Sequence, residues 1–136
     1  MSLISPEFED FLTTHRWAVL TSLRTTGAPV SSVVAYAREA DQFVVSTPGT
    51  TFKRISIARD ERVNLCVISN SEPFNFVAIE GTALVQTTAI AEPTRAVFAA
   101  IADTGYQLPD PLEEWLKAEQ RVILRITATR ISGVIR

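Results

Sequence analysis

One short run of hydroxyl and basic residues, Ser46-Thr47-Pro48-Gly49-Thr50-Thr51-Phe52-Lys53-Arg54, carries most of the chemistry this sequence offers. It reads as the end of a strand, a tight loop, and the start of a helix running from about Thr51 to Asp60. The first helical turn holds Lys53 and Arg54 and no acid. That is the wrong sign of charge for the positive end of a helix dipole. An anion at the helix start turns the two cations from a liability into an asset. Free backbone N–H groups, the hydroxyls of Ser46, Thr47, Thr50 and Thr51, and Lys53 would then form a phosphate cradle. The competing account is a pair of solvated surface cations. What favours the cradle is that the chain holds no other obvious chemistry.

There is a single histidine, His15, and a single cysteine, Cys66, on different elements. A His/Cys metal cluster within one chain is therefore excluded, and a Ser-His-Asp arrangement would rest on His15 alone. His15 falls at the end of the first helix, where a cation suits the dipole, and reads as a helix-end residue before a base. Cys66 lies in the apolar run Val63-Asn64-Leu65-Cys66-Val67-Ile68 and reads as an inert core thiol. One cysteine allows no internal disulfide, so the cytoplasm is the expected compartment. A formal charge of −2 argues against a nucleic-acid surface. No apolar run is long enough to span a membrane. The segment from Met1 to Glu7 lacks the charged head and apolar middle of a signal peptide. The length suits one domain over residues 1–136, large enough to bury a core.

These residues need elements to position them. Ser5-Pro6-Glu7 is a helix start, with Ser as cap, Pro at the first position and an acid in the first turn. Phe8, Phe11 and Leu12 follow at helical spacing. Trp17–Leu23 and Val30–Tyr36 read as strands joined through Gly27 and Pro29, a hairpin. Arg38-Glu39-Ala40-Asp41 reads as a polar turn before a third strand, Phe43–Thr47. Arg62–Ile68 is a fourth strand. Phe74–Val85 is a long fifth strand, with Gly81 marking a bulge or bend. Ala89–Ala102 and Pro111–Glu119 place apolar residues at helical spacing. Gln120–Ile135 alternates as a long last strand, with a kink expected near Thr129–Gly133. Six antiparallel strands with short turns favour a closed or partly closed barrel, because closure removes exposed edges.

The order of parts resembles the split-barrel flavin and deazaflavin oxidoreductases, the group that includes pyridoxamine-phosphate-oxidase-like proteins. The resemblance is carried by Ala18-Val19-Leu20-Thr21-Ser22-Leu23 before Thr26-Gly27-Ala28-Pro29, and by Val45-Ser46-Thr47 followed at a short gap by Lys53. It continues through Ala58-Arg59-Asp60-Glu61-Arg62-Val63, Phe76-Val77-Ala78-Ile79-Glu80-Gly81-Thr82-Ala83 and Arg121-Val122-Ile123-Leu124-Arg125-Ile126. It covers about Trp17 to Val85 and returns over Arg121 to Gly133. Within the group the chain looks most like the small branch that uses the deazaflavin coenzyme F-420.

The resemblance implies a mainly β fold with flanking helices, a six-stranded antiparallel split β-barrel of the FMN-binding type. It implies a homodimer with two cofactor sites at the interface, and hydride transfer from reduced F-420 to a small conjugated or planar substrate. The cofactor's phosphate end would be held by the positions matching Ser46, Thr47 and Thr50 to Lys53. Its ring would lie along the second strand near Ser32, Val33 and Val34. The partner chain would supply aromatic contacts at Phe74 and Phe76, for which core packing is the competing account. One position departs: relatives that bind F-420 can carry an arginine two residues before the lysine, and here it is Thr51. Arg54 or Arg24 is then the expected basic partner for a polyglutamyl tail. FMN also ends a ribityl chain in phosphate and is the alternative cofactor. The group further contains haem-binding and non-catalytic flavin-binding members. Hydride transfer is the cofactor's own chemistry, so the protein needs only to bind, orient and exclude water. Tyr36 is the one candidate proton donor, against a packing role.

Overall fold

A computed structural model describes residues 3–136. The reading of the N-terminal segment begins at Met1 and Ser2, which lie outside the described residues. Helix α1 (Pro6–Thr14) starts as expected, with the Ser5 hydroxyl accepting a hydrogen bond from the Phe8 N–H at 3.2 Å and proline in the first turn. Strands β1 (Trp17–Leu23) and β2 (Pro29–Ala35) form the hairpin, in register from Trp17 opposite Ala35 to Leu23 opposite Pro29. The remaining elements are β3 (Ala37–Glu39), β4 (Gln42–Pro48), α2 (Phe52–Arg59), β5 (Arg62–Ile68), β6 (Phe76–Gln86), α3 (Ala91–Ala100), α4 (Leu112–Ala118) and β7 (Arg121–Val134).

All strand pairings are antiparallel, in the order β2-β1-β5-β6-β7-β4-β3. The sheet curls until β2 approaches β4, with no ladder joining them, so the barrel is split along that seam. The sheet has seven strands, where the sequence pointed to six. The addition is β3, in the stretch read as a polar turn. Its residues pair with Val44, Phe43 and Gln42 of β4. A polar strand is tolerated here because both charges find partners: Arg38 bonds Glu9 at 2.7 Å, and Glu39 meets Arg125 at 2.8 Å. The fifth expected strand begins at Phe76 instead of Phe74.

Period-two alternation puts Leu20, Leu65, Val67, Val77, Ile79, Leu124 and Ile126 inside the barrel, where Phe11 and Leu12 of α1 plug one end. A smaller cluster of Ala37, Val44, Val97 and Ile123 seals α3 against the outside of β4 and β7. Strand β4 is therefore buried on both faces, which is why Phe43-Val44-Val45 is continuously apolar. The expected bulge is present: pairing skips Thr129, so Gly81 faces Ala128 while Glu80 faces Arg130. A Cβ at Gly81 would collide with the Thr127 carbonyl, so only glycine permits that approach.

Cys66 corrects an expectation. The inward residues of β5 are Val63, Leu65 and Val67, and strand alternation turns Cys66 to the outer face, half-buried. The partial burial pushes its thiol pKa up, which disfavours the thiolate. Tyr36 is a packing residue. Its hydroxyl, buried at the plugged end, donates to the Leu12 carbonyl at 2.6 Å with the His15 carbonyl at 3.0 Å, and burial pushes its pKa up. His15 caps the end of α1, stacked on Phe11 with Nδ1 2.8 Å from the Phe11 carbonyl.

Candidate functional site

The hydroxyl-rich loop is built as a lock between β4 and β7. At its centre the Gly49 N–H donates to the Gln120 carbonyl at 2.7 Å, and a Cβ on Gly49 would strike that carbonyl. The lock fixes the register that sets Pro48 opposite Arg121 and Ser46 opposite Ile123. Arg121 then reaches back, its guanidinium donating to the Ser46 hydroxyl at 2.9 Å and to Glu119 at 3.1 Å. Trp115 of α4 lies flat beneath it, 4.4 Å from the guanidinium carbon to the ring centre, and Phe98 of α3 meets Trp115 edge-on. The Arg121 Nε is buried and has no acceptor among the described residues.

Across the loop, Thr51 caps α2. Its hydroxyl donates to the Pro48 carbonyl at 3.1 Å and accepts from the Arg54 N–H at 3.4 Å, while the buried Thr47 hydroxyl lies 3.0 Å away. By helix geometry the N–H groups of Phe52 and Lys53 find no acceptor within α2. Lys53 projects from this turn. Burial lowers its pKa from the ordinary lysine value, and the nearby Arg121 lowers it further. Among the described residues no carboxylate stands within ion-pairing distance of Lys53.

These groups line a cleft of about 310 Å³ at the seam of the barrel. Its polar end is Ser46, Thr47, Thr51, Lys53 and Arg121; its apolar wall is Val33 and Val34 of β2 with Val97, Phe98 and Ile101 of α3. The lining carries two cations, Lys53 and Arg121, and no carboxylate, which leaves the cleft with an excess of positive charge. A phosphate fits: it would accept from Lys53, from the free amides and from Arg121, and relieve the repulsion between the cations. The two lining cations and the lowered pKa of Lys53 are what an anion in the cleft would offset.

Six of the residues singled out from sequence meet in this cleft: Val33, Val34, Ser46, Thr47, Thr51 and Lys53. The others stand apart from it. Ser32 is half-buried on the neighbouring position of β2, and Thr50 is exposed at the loop tip. Phe52 turns outward, with the Arg24 guanidinium 5.0 Å above its ring. Arg54 lines a different cavity. Phe74 is 69% exposed in the loop before β6, and Phe76, at the start of β6, pairs with Ile68 and Val134 across the sheet. Sequence reasoning missed Arg121, Trp115 and the α3 wall. The available signal was a basic residue opening the last apolar strand, but its value depends on a register with Pro48 that no local pattern discloses.

A family model described as pyridoxamine 5′-phosphate oxidase matches residues 4–135. No curated protein matches the sequence. Among solved structures, an F420 reductase is similar with a TM-score of 0.74 and 20% identity, over 95% of this chain and 98% of that one. A conserved hypothetical protein of Mycobacterium tuberculosis is similar with a TM-score of 0.77 and 23% identity, over 98% and 84%. A putative pyridoxamine 5′-phosphate oxidase of Listeria innocua is similar with a TM-score of 0.69 and 17% identity, over 94% and 95%. At these identities the likeness to solved structures is one of fold.

Proposed function

The chain belongs to the pyridoxamine 5′-phosphate oxidase family, and from that premise we propose that it is an oxidoreductase that binds coenzyme F-420 in the seam cleft and reduces a small conjugated or planar substrate. The observation that carries the reading is the pair Lys53 and Arg121, two cations that line one cleft with no carboxylate in its wall. Lys53, the Ser46 hydroxyl, Arg121 and the free amides of α2 hold the phosphate. The edge of β2 at Ser32, Val33 and Val34 sets the position of the ring, and the α3 wall of Val97, Phe98 and Ile101 excludes water from one side. When bound, the reduced deazaflavin supplies the hydride. Tyr36 does not serve as proton donor, because its hydroxyl is committed to the Leu12 carbonyl away from the cleft.

The site is completed by a second copy of the chain. Val33 is 70% exposed and Phe74 69% exposed, and the outer face of β1 and β5 offers half-buried Val19, Cys66 and Ile68. A homodimer covers this apolar face. It would bring Phe74 and Phe76 of each copy to the cleft of the other, to stack on a planar ring.

F-420 is preferred to FMN on the resemblance to the deazaflavin branch and on the likeness in fold to the F420 reductase. The test is a side-by-side binding titration of purified protein with F-420 and FMN, with a visible spectrum of the protein as isolated. Tighter F-420 binding with turnover of a conjugated acceptor supports the reading. Tighter FMN binding transfers the same cradle to a flavin, and binding of neither removes the function.

A further inference from the structure

A second cavity, about 570 Å³, abuts the same loop: Gly49 lines it, where Pro48 and Thr51 line the cleft. Its lining includes three cations, Arg54, Lys117 and Arg121, and one carboxylate, Glu113. Arg54 is the unusual member. Its Nε is buried with no acceptor, and among the described residues the side chain makes no hydrogen bond or ion pair, although Glu113 lines the same cavity. Arg16 and Arg38 also bury an acceptorless Nε, but their guanidinium ends are paired with Asp103 and Glu9. A half-buried guanidinium with no carboxylate beside it is open to an anionic partner from outside the chain.

An independent feature of the cavity supplies donors of the same polarity. Helix α3 begins at its wall, where Ala91 lines the cavity and Ile90, the capping residue, provides no side-chain bond. The N–H groups of Ala91 and Glu92 have no intrahelical acceptor. The Glu92 carboxylate does not fill the place, since it is engaged with Arg95 at 3.5 Å. Three cations and the start of α3 at Ala91 thus border one space of a size that holds an organic ligand.

We infer that this cavity is a second anion-binding site, taking a small compound that carries several carboxylate or phosphate groups. It goes beyond the cofactor reading, because its defining residues are Arg54, Lys117 and the start of α3, and it shares only Arg121 with the cleft. Lys117 is exposed on α4 and provides long-range attraction, whereas Arg54 provides the directed bonds.

The experiment is a ¹H–¹⁵N NMR titration of the full chain at constant ionic strength, with citrate and with inorganic phosphate in separate series. The expected result is saturable movement of the Arg54 Nε–H resonance and of the Ala91 and Glu92 amides with at least one ion. Tighter citrate binding identifies a carboxylate ligand, and tighter phosphate binding a phosphate ligand. Arg54→Gln should weaken the binding about tenfold or more. Lys117→Gln, on an exposed position that leaves the fold intact, should weaken it roughly threefold and stands in if Arg54→Gln fails to fold. Lys53→Gln should leave it within about twofold, because Lys53 faces the other cavity. Linear, unsaturated shifts with both ions overturn the inference. So does saturable binding that survives Arg54→Gln and Lys117→Gln, or that is lost in Lys53→Gln, which would assign the ion to the cofactor cleft and leave that reading standing.

Discussion

The two ends of the barrel treat charge in opposite ways. At the plugged end the two arginines are paired with carboxylates inside the chain. Arg38 bonds Glu9, Arg16 bonds Asp103, and the Tyr36 hydroxyl donates a hydrogen bond to the Leu12 carbonyl. At the seam end Arg121 alone holds the carboxylate of Glu119, while among the described residues Lys53 and Arg54 have no carboxylate in ion-pairing distance. The plugged end is complete in itself, so substitutions there are felt as lost stability. The seam end is incomplete, so substitutions there should be felt as lost binding. Buried polar groups are costly when unpaired, and a fold keeps such a defect where a ligand removes it.

The largest effect that can break this comparison belongs to Lys53. Lys53→Ala should cost cofactor affinity about 1.5–3 kcal/mol, the range for a hydrogen bond to a charged group. Thermal stability of the free protein should stay the same or rise, because a repulsion is removed. Calorimetric titration and a melting curve on the same sample check both halves. A stable variant with unchanged affinity reduces Lys53 to a surface charge. The mirror test is Tyr36→Phe. It leaves the Leu12 carbonyl without its donor and should cost about 1–2 kcal/mol of stability, within the range for an unsatisfied buried acceptor. Cofactor affinity should not change. A drop in affinity with no drop in melting temperature would reverse the two roles.

This contrast was only half legible in the sequence. The barrel was readable because alternation survives in β1, β5, β6 and β7, and because Gly81 announces a bulge. Strand β3 was not, since Arg38 and Glu39 look like turn residues until Glu9 and Arg125 are known to stand opposite them. In the cleft, Ser46 and Lys53 were readable from a loop-to-helix pattern with the wrong charge at its start. Arg121 was hidden, because what it does follows from a pairing with Pro48 across the whole α2–β5–β6–α3–α4 excursion. Arg54 illustrates the reverse. Its proximity to Lys53 in sequence suggested one cradle, but the turn of the helix sends the two side chains into different cavities.

Salt sharpens the comparison by asking which anion the seam end accepts. A tail of several carboxylates gains from exposed cations at low ionic strength and loses that gain as salt screens them. F-420 affinity should therefore fall more steeply with salt than FMN affinity, because FMN has a phosphate and no such tail. Paired titrations at low and high ionic strength measure the two slopes. Equal slopes, or tighter FMN binding under both conditions, would leave the FMN alternative. Stability of the plugged end should respond little, because an exposed pair such as that of Arg16 with Asp103 contributes little at any salt and the Arg38 guanidinium of the other pair is largely buried.

The smallest effect is one of pH, and its sign separates the free protein from the complex. Burial, reinforced by Arg121, lowers the pKa of Lys53 below its ordinary value in the free fold. The charged lysine is then disfavoured relative to the unfolded chain. Below the lowered pKa the free protein carries this penalty in full. The penalty fades as pH rises from the lowered pKa to the unfolded one, so the contribution of Lys53 to stability increases over that window. A bound phosphate acts the other way. It favours the ammonium form and raises the pKa again, so the complex holds a proton that the free protein gives up. Cofactor affinity should thus be full below the free protein's Lys53 pKa and decline as pH rises above it. Binding in that window should take up protons, seen as a buffer-dependent heat in calorimetry. In Lys53→Ala both the decline and the proton uptake should vanish. A wild-type affinity that is flat through the alkaline range, with no buffer dependence, would mean that the anion is held by Arg121 and the amides of α2 alone.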